Sequence, residues 1–369
     1  MNIPQNSLSR IHDSIKAELH EKFSSVLEAN AFVFGKELTE FETSFAKFCD
    51  VKYAVGVASG YDALFVSLKI LGVKPGDEVI VPSHTFIATW MAVTACGAKP
   101  IPVEVDEKDW TINPILIASK ITSKTKGIIP VHLFGAMCQM DAIQKIANEN
   151  NLFILEDFSQ AQGAKFDNKS AGSFGNLNAA SLYPGKNIGA LGDAGVITTN
   201  NEELYQKALQ FRNYGTTEKN KHEVFGLNSR LDNLQAAFLN VKLKYLQEWN
   251  EARNVIAAIY RNCFDKISAI QSQIIGTKID CVYHQFVILV EERDLLIQFL
   301  ESKGIQTSIH YPIPIFQQEI YSDLVLNEDE FKFTIALCSK GLSLPMFPGL
   351  TESEVNYICQ QINSYFEGK

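Results

Sequence analysis

Apolar positions along the chain change their period repeatedly, and each change marks an element. Tyr53 to Ala58 is a short run rich in β-branched residues that ends in Ser59-Gly60 and predicts a strand. From Asp62 to Leu71, the residues Ala63, Leu64, Ser67, Leu68 and Leu71 fall on one helical stripe, which Gly72 stops and Pro75-Gly76-Asp77 turns. Glu78 to Val81 predicts the next strand, and Ala88 to Cys96 a helix ended by Gly97. Lys99 to Val103 and Gly127 to Val131 predict two more strands, Met140 to Asn150 an amphipathic helix, and Leu152 to Leu155 a buried strand. Strands alternating with helices predict an α/β sheet, mostly parallel, with ligand sites outside the carboxyl ends of its strands.

The rhythm changes after about residue 240. Ala236 to Tyr260 reads as one long helix, followed by a shorter α/β unit with a strand at Phe286 to Val290 and a helix near Arg293 to Lys303. Two domains follow as the simplest organisation, a large one over 1–245 and a small one over 246–369, and 369 residues suffice for two cores. With 46% hydrophobic and 20% charged residues the chain is an ordinary globular protein. Its net charge, 33 − 42 = −9, repels phosphate backbones and argues against nucleic acid as a partner. No run approaches the roughly 20 apolar residues of a membrane span, and Met1 to Glu21 lacks the apolar core of a signal peptide, so a cytoplasmic protein without a membrane partner is expected. The seven cysteines are scattered, with no CxxC pair and no His at zinc spacing, so they are expected to be reduced apolar residues and no metal site is expected.

Three segments carry candidate chemistry. In Ser59-Gly60-Tyr61-Asp62 a strand ends and a helix begins. The free N–H groups of a helix start bind anions, and glycine permits close approach, although an ordinary cap by Ser59 would look the same. In Ile154-Leu155-Glu156-Asp157 an apolar strand runs into two carboxylates. Adjacent strand residues point to opposite faces, so only one of the two can face a site, where it requires a cation or donor such as a protonated pyridine nitrogen. In Ser181 to Gly195 one lysine, Lys186, lies among small residues and glycines, where partial burial lets it lose its proton and attack a carbonyl. The nucleotide-binding GxxxxGK[ST] loop fails here, because Ala180 replaces its first glycine and Asn187 its Ser/Thr.

The order of these segments, with Gly76-Asp77-Glu78-Val79, Pro82-Ser83, Thr85-Phe86, Gln160, Tyr183-Pro184-Gly185-Lys186-Asn187 and Asn228-Ser229-Arg230-Leu231-Asp232, resembles the DegT/DnrJ/EryC1/StrS sugar aminotransferases from about Phe34 to the C-terminus. The resemblance implies the aspartate aminotransferase fold, a fold type I large domain plus a smaller C-terminal α/β domain, with pyridoxal 5'-phosphate as cofactor. It implies that Lys186 carries the cofactor as a Schiff base and shuttles a proton, that Asp157 pairs with the ring nitrogen, that Gln160 bonds the ring hydroxyl and that Phe86 stacks on the ring. Ser59, Gly60, Tyr61 and Ser181 would cradle the phosphate. Tyr61 departs from the Thr usual in the family, which leaves its backbone N–H as the contact. Asn228 is expected to reach the phosphate of a neighbouring subunit, which implies a homodimer with shared active sites.

The implied reaction is a ping-pong transfer from L-glutamate, released as 2-oxoglutarate, to a nucleotide-linked keto-sugar. The segment Ile309-His310-Tyr311-Pro312 is similar to that of family members acting at C3 of dTDP-3-keto-6-deoxyhexoses. His310 and Tyr183 are expected to hold sugar hydroxyls or move protons, since a histidine titrates near working pH. His84 and His132 are expected to be structural. The alternatives are amination at C4, a dehydratase, against which Lys186 argues, and a non-catalytic regulatory protein, against which Asp157, Gln160 and Lys186 together argue.

Overall fold

In the computed structural model, which describes residues 1–218 and 220–368, the apolar runs become nine strands up to residue 199. They are β1 (Tyr53–Val57), β2 (Glu78–Pro82), β3 (Lys99–Val103), β4 (Thr125–Ile128), β5 (Phe153–Asp157), a hairpin of β6 (Lys165–Phe166) and β7 (Lys169–Ser170), β8 (Leu177–Ser181) and β9 (Gly195–Thr199). Seven of them form the main sheet, in the order β1-β9-β8-β5-β4-β2-β3. It is parallel except for β9, which runs antiparallel to both β1 and β8. Side chains alternate across the sheet, and both faces are covered. Val55, Val79, Val81, Leu155 and Ile197 pack on one face with helices Gly60–Ile70 and Ala88–Ala95. Ala54, Ile80, Ile154, Ala180 and Val196 pack on the other with helices Lys36–Phe48, Met140–Glu149 and Asn233–Leu243.

Two expected elements differ. The strand expected to reach Val131 stops at Ile128, because Pro130 has no N–H for the ladder; its carbonyl accepts from Asp157 N at 2.9 Å, and Val131 pairs with Asp157 as an isolated bridge. The single long helix is two, Asn233–Leu243 and Leu246–Phe264. No glycine or proline lies at the break. Tertiary contacts make it: Tyr245 N turns back to Lys242 O at 3.0 Å, the Tyr245 ring stacks on Trp249, and both Lys244 and Tyr245 bond Glu18 of helix Lys16–Ala29.

Beyond the break, strands Gln271–Ser272, Phe286–Leu289 and Gly341–Leu344 form a second, antiparallel sheet. Its core joins Tyr260, Phe286, Ile288, Leu296, Leu342 and Ile358. Ile3 belongs to this C-terminal core as well, bridging Ile305 in parallel, with Ile3 N donating to Gly304 O at 2.8 Å. The seven cysteines are free thiols, and all but Cys263 are buried. Among the described residues no helix is long and apolar enough to cross a membrane.

Candidate active site

Ser59-Gly60 follows β1, Phe86 follows β2, Asp157 ends β5 and Ser181 ends β8. These four strands are mutually parallel, so their carboxyl ends share one edge of the sheet. A cavity of about 480 Å³ opens there. Ten of the eleven expected residues line it: Ser59, Gly60, Tyr61, Phe86, Asp157, Gln160, Ser181, Tyr183, Lys186 and His310. The eleventh, Asn228, does not line the cavity of its own chain; it is exposed and bridges Asn213. A larger, polar cleft of about 940 Å³ between Lys165 and Arg261 contains none of these residues.

The floor of the cavity is the start of helix Gly60–Ile70. Ser59 Oγ accepts from Asp62 N at 3.1 Å and caps it, while the N–H groups of Gly60 and Tyr61 have no intrahelical acceptor. Ser229 Oγ locks this turn, donating to Asp62 Oδ2 at 2.6 Å and accepting from Ala58 N at 3.2 Å. Gly60 is required by close approach: a Cβ there would lie 2.4 Å from Ser181 Cβ and 2.7 Å from Ser181 Cα. Tyr61 packs its ring parallel to Phe65, 6.4 Å between centroids.

Strand alternation separates the two carboxylates as expected. Glu156 turns away from the cavity, fully buried, bonding His132 Nε2 at 2.8 Å and the amides of Gly172, Phe174 and Gly175. His132 is therefore structural. Asp157 turns into the cavity, where Oδ2 accepts from Thr89 Oγ1 at 2.9 Å and Oδ1 from Ser159 N at 3.2 Å. A carboxylate held by two donors keeps lone pairs for a third. Gln160 Oε1 accepts from Phe134 N at 2.7 Å, and its Nε2 donates to Tyr311 OH at 3.2 Å.

Lys186 follows in a turn closed by its own N–H to Tyr183 O at 2.8 Å. Burial pushes its ammonium pKa down to about 8, with Asp157 opposing the shift. A substantial neutral fraction thus exists at mildly alkaline pH. Tyr183 and Phe86, both more than half exposed, stand at the mouth. His310 Nδ1 pairs with Ser343 Oγ at 2.8 Å, and its carbonyl meets His84 Nε2 at 3.2 Å. His310 was expected to titrate near working pH; burial, then the Lys186 charge, pushes its pKa down to about 4. His84 is likewise pushed down to about 4 by burial.

These residues fit pyridoxal 5'-phosphate on the chemistry of the donor set. Free helix-start N–H groups with Ser59 and Ser181 suit a phosphate, Asp157 suits a protonated ring nitrogen, and Lys186 supplies an amine. Sequence reasoning missed Thr89, Tyr311 and His284, which share the cavity. Thr89 lies just inside the helix that follows Phe86, and Tyr311 inside the segment around His310, but a helical threonine and a histidine before a strand carry no local signal of a site.

A sequence profile of the DegT/DnrJ/EryC1/StrS aminotransferase family matches residues 13–363. The chain is 41% identical to the dTDP-3-amino-3,6-dideoxy-alpha-D-galactopyranose transaminase of Aneurinibacillus thermoaerophilus, covering 98% of this chain and 99% of that one. It is 38% identical to the dTDP-3-amino-3,4,6-trideoxy-alpha-D-glucose transaminase of Streptomyces venezuelae, over 99% of this chain and 96% of that one. Among solved structures, Streptomyces venezuelae DesV in complex with a ketimine intermediate superposes with a TM-score of 0.97 at 38% identity, covering 99% of both chains. Relatives named for UDP- and GDP-linked sugars also match over most of the length.

Proposed function

We propose that this chain, which belongs to the DegT/DnrJ/EryC1/StrS aminotransferase family and is a pyridoxal-phosphate-dependent sugar-nucleotide aminotransferase, moves an amino group from L-glutamate to a dTDP-linked 3-keto-6-deoxyhexose, giving a dTDP-3-amino-3,6-dideoxyhexose. The observation that carries the reading is the single cavity shared by Lys186, Asp157 and the open helix start at Gly60. The names of the dTDP-sugar relatives support the nucleotide and the carbon, as does the His310-Tyr311-Pro312 segment.

When bound, the cofactor draws electrons from the carbon that bears the transferred nitrogen and so makes its proton removable. Asp157, oriented by Thr89 and Ser159, would keep the ring nitrogen protonated. The Gly60 and Tyr61 amides with Ser59 and Ser181 would hold the phosphate. Gln160 would meet the ring hydroxyl, and Phe86 would cover the ring face. Lys186 Nζ takes up and returns the proton, a task suited to an amine whose pKa burial has lowered to about 8. His310 and Tyr183 would bind the sugar as neutral hydrogen-bonding groups.

The active unit we propose is a two-fold dimer in which Asn228 completes the partner subunit's phosphate site. Support comes from the exposed apolar run Phe32, Val33 and Phe34, each 45–47% exposed. It adjoins Arg230, two residues after Asn228, whose guanidinium lies over Phe34 and Tyr214. We place the division between the two domains near residue 245, at the break between the long helices.

The test is an assay with L-glutamate and a panel of keto-sugar nucleotides. Turnover of dTDP-3-keto-6-deoxyhexose is expected at the highest kcat/KM. Efficient turnover of a 4-keto-6-deoxy sugar alone, or of a UDP- or GDP-linked sugar in preference, would replace this reading.

A further inference from the structure

His284 lies in the cavity wall with Lys186 and His310, just before strand Phe286–Leu289. Its hydrogen bonds determine which ring nitrogen carries the proton. The Gln162 carbonyl can only accept, so the amide group of Asn250 that meets it at 2.9 Å is Nδ2, and Asn250 Oδ1 turns toward Asn187. The Val282 carbonyl can also only accept, so Asn187 presents Nδ2 to it at 3.2 Å and to Asn250 Oδ1 at 2.8 Å. Asn187 Oδ1 is then left facing His284 Nδ1 at 2.9 Å. An amide oxygen cannot donate, so the proton is on Nδ1 and the lone pair on Nε2. Nε2 makes no hydrogen bond among the described residues. Burial, reinforced by Lys186 and Arg253, holds the ring neutral well below the ordinary histidine range. Asn187, Asn250 and His284 are all buried, so this chain of bonds is not exchanged for water.

We infer that His284 Nε2 is a fixed acceptor for a hydroxyl group of the keto-sugar, and so a determinant of which sugar the enzyme accepts. The inference rests on the proposed sugar-nucleotide reaction. The lone pair of a ring that burial keeps neutral has nothing to offer the carboxylate oxygens of glutamate or 2-oxoglutarate, which also only accept. A sugar hydroxyl donates. A site built to accept from a hydroxyl discriminates against an analogue that lacks it, because the bound analogue displaces water from the acceptor and leaves it unpaired. Asn6, which lines the same cavity, has a buried side-chain oxygen without a partner among the described residues.

Two variants separate the ring's roles. His284→Asn keeps an N–H near the Nδ1 position for Asn187 and deletes the acceptor at Nε2. His284→Gln places an amide oxygen near Nε2 instead. In the holoenzyme the two half-reactions are followed separately by the cofactor's absorbance, first with glutamate alone and then with keto-sugar added to the aminated enzyme. His284→Asn is expected to lower kcat/KM of the sugar half-reaction about 10- to 100-fold relative to the glutamate half, mainly through KM, with partial recovery in His284→Gln. On one deoxy analogue of the sugar, wild type and His284→Asn should perform equally, which identifies the hydroxyl. Should His284→Asn fail to fold, the analogue series on wild type carries the test, since one deletion must cost a similar factor. Equal losses in both half-reactions, or no loss in either, would overturn the inference while leaving the parent reaction standing. A wild-type enzyme that aminates no keto-sugar nucleotide would instead remove the parent reaction.

Discussion

Lys186 has two properties at the residue scale that pull against each other. Burial disfavours its ammonium form, and Asp157 favours it; burial wins and the pKa settles at about 8. The attacking species is the neutral amine, whose fraction grows as pH rises through that value. Capture of pyridoxal 5'-phosphate by the apoenzyme, followed by its absorbance, should therefore accelerate between about pH 7 and 9 and level off above. A rate independent of pH across that range would show that the lysine is not held near 8. Lys186→Ala should lose turnover by roughly 10²- to 10⁴-fold or more while still retaining the cofactor through its phosphate cradle. His310 behaves differently: with its pKa at about 4 it contributes no ionisation to the neutral-pH profile.

Elements decide where these residues meet. Four parallel strands end at one edge, and a helix starting at Gly60 leaves its N–H groups facing the same space. The loop carrying Lys186 is tied from behind by helix Asn233–Leu243: Lys242 is buried, and its Nζ donates to Gly189 O at 2.6 Å. Burial lowers the Lys242 pKa to about 8, whereas an unfolded lysine titrates near ~10.4. Between those values the unfolded chain holds more protons than the native one, so Lys242 makes stability rise with pH across that window. Tm measured on holoenzyme should show a steeper rise from pH 8 to 10 in wild type than in Lys242→Met. Parallel profiles would mean that Lys242 keeps its ordinary pKa. The Ser229 hydroxyl, which ties Ala58 and Asp62, performs the matching task for the phosphate floor.

At the scale of the whole molecule the cavity is a joint product of distant segments. Its walls come from the main sheet, from His284 and His310 beside the second sheet, and from Gln5 and Asn6 in a segment that bonds the C-terminal unit, with Met346 N donating to Gln5 O. The proposed dimer adds Asn228 from a second copy. Mixing Lys186→Ala with Asn228→Ala tests this directly. In a mixed dimer with shared sites, one site regains both wild-type residues, so random reassortment should restore activity to about a quarter of the wild-type sites. Activity that stays at the average of the two variants after subunit exchange would place Asn228 in its own chain's function, or in none.

The division between what is legible in the sequence and what is not follows the range of the forces involved. Periodicity of apolar residues is local, so the strands β1, β2, β3 and β5 and the helices between them were readable within a residue or two. The opposite facing of Glu156 and Asp157 was readable too, because strand geometry alone requires it. Ordered motifs around Gly60, Asp157 and Lys186 indicated the family and the cofactor. The break at Lys244-Tyr245, made by Glu18 and Trp249, was not readable, since its causes lie on other helices. Nor was the neutrality of His310, because desolvation depends on what packs around a ring rather than on its neighbours in the chain. The sequence by itself determined the strand-end chemistry of one cavity edge, through local geometry. Only the tertiary structure decided the opposite wall, where the Gln162 and Val282 carbonyls, acting through Asn250 and Asn187, set the proton on His284, because a hydrogen-bond chain exists only once distant segments are packed together.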